Sequence, residues 1–154
     1  MSFKDSATLA LALVGAVLGI MNMWRSISHD KPKIKVTPRR ALPFGDADPR
    51  IDFSIEAVNL GAVAVTVCEL GFFHNGTSGR SSITVPIIFD GGPWPRRLEP
   101  RTAVTVHGRS DLIDGKKHPI RCAYAMTDCG LTFKGNSGAL KAISKALAAG
   151  QLVQ

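Results

Sequence analysis

The side chains capable of nucleophilic or metal chemistry are few: His29, His74, His107 and His118, with Cys68, Cys122 and Cys129. A hydrolase needs a nucleophile beside a base and a third group that orients the base. His107 and His118 flank a segment that carries Asp111 and Asp114, and imidazole with carboxylate suits Zn or Mn. Their spacing matches no established ligand pattern, and polar residues crowd loops in any case, so the expectation is no metal and no cofactor. His29 adjoins a long apolar run, and His74 precedes a turn. Cys122 and Cys129 are too far apart for a zinc knuckle. Cys68 and Cys122 fall in predicted strands, where cysteine acts as a small buried hydrophobe. Cys129, at a predicted turn, is the candidate for an exposed thiol. Gly91-Gly92-Pro93 has neither the following helix nor the Lys-Ser/Thr of a phosphate cradle. Asn75-Gly76-Thr77 fits a glycosylation acceptor, expected to be unused without a clear secretory signal. An enzyme reading therefore rests on Cys129 or the His107–His118 loop, as a small thiol- or histidine-dependent hydrolase. The expectation is the opposite: no catalytic residues and no evident small-molecule substrate.

The strongest pattern lies upstream of all these groups. Ala7 to Trp24 is 18 residues long, with Thr8 and Asn22 its only polar members. As a helix it would measure about 27 Å, close to the hydrocarbon thickness of a bilayer. It is apolar on every face, unlike the amphipathic helix of a soluble domain. Ser6, after Asp5, is placed to cap the helix start. Trp24 stands where an interfacial aromatic belongs, with Arg25 directly after it. A cleavable signal would need a cationic leader and a small-x-small site beyond the run. Here Asp5 neutralises Lys4, and the run closes on Ile20, Met21, Asn22, Met23 and Trp24. A retained signal-anchor is expected. Gly15 and Gly19, with Ala12 and Ala16, set small residues four apart, a spacing that lets helices pack closely in lipid. The helix is therefore expected to contact a copy of itself or another protein.

The net charge of +7 is concentrated next to that run. Arg25, Lys31, Lys33, Lys35, Arg39 and Arg40 face one acid, Asp30, within 16 residues. Positive charge flanking a span reads as membrane topology and as contact with lipid headgroups. It predicts a cell (inner) membrane protein, single-pass, with its large domain in the cytoplasm. A periplasmic or extracellular domain is the alternative. The odd cysteine number agrees with a reducing compartment and leaves a Cys122–Cys129 bridge open. The basic tract has no interleaved aromatics, and nucleic acid is not expected as a partner. A second basic stretch, "WPRRLEPR", offers Trp94, Arg96 and Arg97 as a possible protein contact, since Trp and Arg are frequent anchors of interfaces.

The rest of the chain has the punctuation of an all-β domain. In "KIKVT", Ile34 and Val36 share a face. In "IDFSIEA", Ile51, Phe53, Ile55 and Ala57 point inward against Asp52, Ser54 and Glu56. "AVAVTVCELGFF", "SSITVPIIF", "TAVTVHG", "HPIRCAYAM" and "LTFKG" complete the set. Pro86 argues for an edge or a bulge, and Ile120, Cys122 and Tyr124 are set inward against Arg121 and Ala123. Turns are expected at Asn75-Gly76, Gly91-Gly92 and Asp114-Gly115, and Pro38 to Pro49 reads as a linker or a long loop. Leu140, Ile143 and Leu147 then recur at helical spacing, with Ser137 as cap and Gly150 as stop. That helix is expected to cover its own domain, with the membrane surface as the alternative. The expected architecture is all-β: an immunoglobulin-like antiparallel sandwich of seven or eight strands, preceded by one transmembrane α-helix and followed by a short C-terminal helix. Its parts are an anchor (1–25), a basic segment with first strand and loop (26–50), the sandwich core (51–136) and the tail helix (137–154).

Three stretches together resemble a broad set of uncharacterised bacterial and phage-encoded proteins with one N-terminal transmembrane helix and a small β-sandwich. "NLGAVAVTVCELGFF" (Asn59 to Phe73) looks like their Asn-x-Gly-x-x-Pro-Val-x-Ile strand pair, with Ala64 in place of Pro. "RRLEPRTAVTV" (Arg96 to Val106) looks like their Leu-x-Pro-Gly turn into a strand, with Arg101 in place of Gly. "DCGLTFKG" (Asp128 to Gly135) looks like their closing hairpin. The resemblance implies the architecture and carries no catalytic residues. Together with the anchor, it leads to an expected non-enzymatic accessory or scaffolding subunit working through protein contacts. A phage or cell-envelope structural component is the alternative.

Overall fold

The structure, a computed structural model, describes residues 3–29, 31–42, 45–46, 48–109, 113 and 118–149, and within the first helix the side chains of 8–26. Asp30, Asp111, Asp114, Gly115 and Gly150 lie outside the described residues, as do the side chains of Lys4, Asp5, Ser6 and His29.

Helix α1 runs from Phe3 to His29, four residues past Arg25. Among the described residues eight antiparallel strands follow: β1 (Ile34–Arg40), β2 (Phe53–Asn59), β3 (Val65–His74), β4 (Arg80–Ser82), β5 (Arg96–Leu98), β6 (Ala103–Gly108), β7 (Ile120–Thr127) and β8 (Thr132–Gly135). Helix α2 (Gly138–Ala148) closes the chain. One sheet has the order β1-β2-β6, the other β4-β3-β7-β8, with β5 also paired to β3. Each sheet turns its apolar residues toward the other. Val36, Phe53, Ile55, Ala57, Val104 and Val106 from the first sheet meet Val65, Val67, Leu70, Phe72, Ala123 and Ala125 from the second. Phe53 and Phe72 cross that interface edge to face, 5.2 Å between ring centres.

The expected inward residues Ile34, Val36, Ile51, Phe53, Ile55 and Ala57 are all buried. Three expectations need correction. Pro38 to Pro49 is not all loop, because β1 continues through Pro38, Arg39 and Arg40. Proline is tolerated there because β1 is an edge strand and has no ladder donor to lose on its open side. Within "SSITVPIIF" only Ser81 and Ser82 are in a strand; the chain then crosses to the other sheet, where Ile87 bridges His107.

The third correction concerns β7. Its partner register skips Arg121 between the pairs His74–Ile120 and Phe73–Cys122, and Cys68 between Val67–Thr127 and Glu69–Met126. An extra residue on one strand flips every later side chain to the opposite face. Ile120 is therefore in the core, but Cys122 and Tyr124 stand on the outer face, and Ala123 and Ala125 fill the interior. Ser54 also departs from its expected exposure: it is buried on the outer face between its ladder partners Arg39 and His107.

Helix α2 covers its own domain. Leu140, Ile143 and Leu147 are buried in the core. The Ser137 hydroxyl accepts from the Leu140 amide and donates to the Pro38 carbonyl at 2.6 Å, so the helix cap is also the tie to β1. The Ser144 hydroxyl accepts from the Ile120 amide at 3.0 Å. Beneath the helix, β8 lies directly on β1: a Cβ at Gly135 would fall 1.8 Å from the Val36 carbonyl oxygen.

At the opposite end, Asn59 is fully buried. Its amide nitrogen donates to the carbonyls of Val63, Leu98 and Glu99, and its oxygen accepts from the Gly61 amide at 2.9 Å. Its backbone closes on Thr102 and Arg101. Arg101 has φ 66°, the left-handed region that costs a non-glycine residue roughly 1–2 kcal/mol. Two outcomes follow for chemical denaturation. Asn59→Ala leaves several buried groups unpaired and should lower stability by about 3 kcal/mol or more. Arg101→Gly should raise it by about 1 kcal/mol.

Candidate functional site

The residues singled out by sequence fall in three places. On α1, every described side chain from Thr8 to Ser26 is exposed. Ala12, Gly15, Ala16 and Gly19 lie along one side, and a Cβ on either glycine would meet nothing within 4 Å. That side is open to close approach by another backbone. Leu9, Leu11, Leu13, Val14, Val17, Leu18 and Ile20 stand in the open around it. On a membrane-insertion scale these seven are worth about 2–4 kcal/mol in favour of lipid. Trp24 is 74% exposed near the end of the apolar window, which spans Thr8–Ser26. One helix is thus long and apolar enough to cross a membrane.

The basic tract is divided by the fold. Lys31 and Lys33 sit before β1, at the end of the sandwich that adjoins α1, and are exposed. Lys35 is exposed early in β1, whereas Arg39 and Arg40 are carried by that strand roughly 16–20 Å beyond Ile34. The charge of Arg39 is matched by Glu56 at 2.7 Å.

Trp94, Arg96 and Arg97 do not form one surface. Trp94 packs half-buried against the core. Arg96 folds back over Gly92 to pair with Asp90 at 2.7 Å, while Arg97, the next residue of β5, is exposed and pairs with Glu99 at 2.9 Å.

The histidines and cysteines are likewise dispersed. His107 stacks on Phe89, 4.4 Å between ring centres, with Nδ1 buried and unbonded; burial lowers its pKa. His118 lies instead beside His74, at 6.4 Å. His74 is buried, its Nδ1 facing the His118 carbonyl at 2.8 Å and its Nε2 the Ser81 hydroxyl at 2.7 Å. A carbonyl only accepts, so Nδ1 donates to His118, and in the neutral ring Nε2 accepts from Ser81. The ring thereby clasps β3, β4 and the start of β7. All three cysteines are free thiols: Cys129 is exposed, and Cys68 is half-buried with its pKa raised by burial. Among the described residues no three His, Cys, Asp or Glu side chains gather as metal ligands do.

The sequence pattern gave no hint of a polar cluster on the outer face of the β3–β7 sheet. Tyr124 is 0% exposed although it faces away from the core. Its hydroxyl donates to Glu69, whose carboxylate also accepts from Arg80 Nε at 3.3 Å. The Arg80 guanidinium lies 5.7 Å from the Tyr124 ring, and Phe73 flanks that ring at 4.6 Å. Lys134 covers Phe73 in turn, at 5.1 Å. The register flip at Arg121 creates this arrangement, which is why an uninterrupted period of two hides it.

No family model matches the sequence, and no curated protein matches it. Among solved structures, a chain described as "X-ray structure of Northeast Structural Genomics Consortium target SoR45" is 12% identical over 70% of this chain and 82% of that one. Its TM-score of 0.28 is too low to carry an argument.

Burial and the bond to Glu69 raise the Tyr124 pKa above the ordinary tyrosine value. A group whose folded pKa is raised contributes stability that is complete below its unfolded value of about 10 and is lost as pH rises beyond it. Tyr124 is the only tyrosine, so tyrosinate absorbance reports it alone. Absorbance should stay flat past pH 10 and rise only together with unfolding. A rise near pH 10 in the folded protein would contradict the geometry.

Proposed function

We propose that this chain is a non-enzymatic, single-pass membrane protein whose β domain serves as an accessory or scaffolding subunit through protein contacts. The observation that carries the reading is α1: an apolar helix with no buried side chain among those described, joined within five residues to a closed sandwich. Such a surface needs lipid or another helix around it.

The strand order supports an immunoglobulin-like sandwich. β2 lies between β1 and β6 as B lies between A and E, and β3-β7-β8 follows the C-F-G order, with β4 and β5 on the far side of β3. The same order, with Asn59, the Leu98–Arg101 turn and the Asp128–Gly130 turn at one end, supports kinship with anchored sandwiches of bacteria and their phages. Trp24 and Arg25 set the depth of the anchor, and Gly15 and Gly19 pack it against a partner or a second copy. Lys31 and Lys33, flanking the span, support a domain on the cytoplasmic side of the inner membrane.

Two measurements test this reading. A reporter fused at the C-terminus should be active in its cytoplasmic form, and activity confined to the outer side would reverse the orientation. Gly15→Leu combined with Gly19→Leu should reduce crosslinking through the membrane domain several-fold without changing membrane recovery. Unchanged crosslinking would remove helix packing from the model of function.

A further inference from the structure

Resting on the membrane reading above, we infer that the α1-proximal end of the sandwich docks onto the anionic headgroup layer of the bilayer, holding the domain upright on its anchor. Register identifies that end: Ile34, Asn59, Val65, Leu98, Ala103 and Thr127 all lie there. Ile34 is five positions after His29, so the start of β1 stays within about 18 Å of the helix terminus however the joint bends. The hairpin at Asn75–Gly79 lies about 30 Å away along β3.

Two observations make this end fit a lipid surface. Its turns present apolar tips, Leu60 at 43% and Leu131 at 45% exposure, where turns ordinarily carry polar residues. Around them stand Lys31, Lys33 and Arg101, which have no ion pair among the described residues. The described acids of this end are Glu99, paired with Arg97, and Asp128, which also acts on Arg97, so the cations outnumber them. Apolar tips ringed by cations match the interface of an anionic bilayer.

Arg101 adds an independent argument. It occupies a left-handed backbone position that glycine would fill without strain, yet its side chain makes no bond to any described residue. The surrounding bonds hold that strain, Arg101 N–H to the Asn59 carbonyl and Thr102 N–H to that of Glu99, and residues so held cluster at sites of function. The alternative face, the outer side of β1-β2-β6, is less suited to lipid, because Glu56 already neutralises Arg39 at its centre.

The test uses the full chain, with Cys68→Ala and Cys122→Ala, in vesicles of equal parts phosphatidylcholine and phosphatidylglycerol. A fluorophore on Cys129, in the turn just before Leu131, is compared with one on Thr77→Cys at the far end and one on Ser26→Cys at the end of the span, both in a Cys129→Ala background. Lipids spin-labelled at the headgroup should quench Cys129 and Ser26→Cys at least twofold more than Thr77→Cys. Lys31→Glu with Arg101→Gly should lower the Cys129 quenching, as should pure phosphatidylcholine, while Ser26→Cys stays quenched. Arg101→Gly alone should stabilise the fold and still weaken quenching, opposite signs that a purely structural role would not give. If Ser26→Cys is quenched but Cys129 resembles Thr77→Cys, the anchor is inserted and the docking is wrong: that end stands clear of lipid, open to a protein partner. If Ser26→Cys is not quenched, the membrane reading fails and the docking falls with it.

Discussion

The amide of one buried residue, Asn59, governs how the two sheets are joined. A sandwich must pass its chain between layers, and each passage leaves backbone groups that no ladder can pair. Here β2 leaves the first sheet for β3, and β5 returns from the second sheet to β6 beside it. Asn59 meets both crossings: its nitrogen reaches the carbonyls of Val63, Leu98 and Glu99, and its oxygen holds the Gly61 amide. A hydrophobic residue of similar size would strand those groups in a dry corner. Gly61 is part of the same solution, since a Cβ there would stand 3.2 Å from the asparagine oxygen and 3.3 Å from the Lys33 nitrogen.

The far side of the sandwich is closed by different means. There β8 lies on β1 through Gly135, and α2 spans the seam with Leu140, Ile143 and Leu147. The serine that caps α2 also bonds the Pro38 carbonyl, so the edge strand that proline weakens is the one the helix protects. The β domain thus satisfies its own core and its own edge. Helix α1 does neither for it, and so its apolar surface has to be explained by something outside the sandwich.

How much of this was legible depends on whether a signal was local. The apolar run, the inward faces of β1 and β2, and the periodicity and cap of α2 were plain, because each follows from residue type and period alone. The inward face of β7 is hidden because one extra residue, Arg121, shifts its ladder, as Cys68 does in β3. A bulge has no residue type of its own when neither position is glycine. With that shift went the Tyr124–Glu69–Arg80 cluster, whose members are 55 and 11 positions apart along the chain and meet only across three strands. Trp94, Arg96 and Arg97 looked like one patch because they are neighbours in sequence. Strand alternation and the pull of Asp90 separate them.

The three sequence stretches that suggested kinship with anchored sandwiches converge on one corner. Asn59-Leu60-Gly61, Leu98 to Arg101 and Asp128 to Gly130 are contiguous turns at the α1-proximal end, linked by Asn59 and by the Asp128–Thr66 backbone bond. Residues that recur in such turns serve the crossing of the chain and carry no information about a ligand. Of the two departures from that pattern, Ala64 and Arg101, the second falls within these turns. Arg101 takes a conformation suited to glycine; its amide is held by the Asn59 carbonyl, while its side chain bonds to none of the described residues. A residue that strains its own turn thus adds a cation to the corner from which α1 leaves the sandwich, beside Lys31 and Lys33.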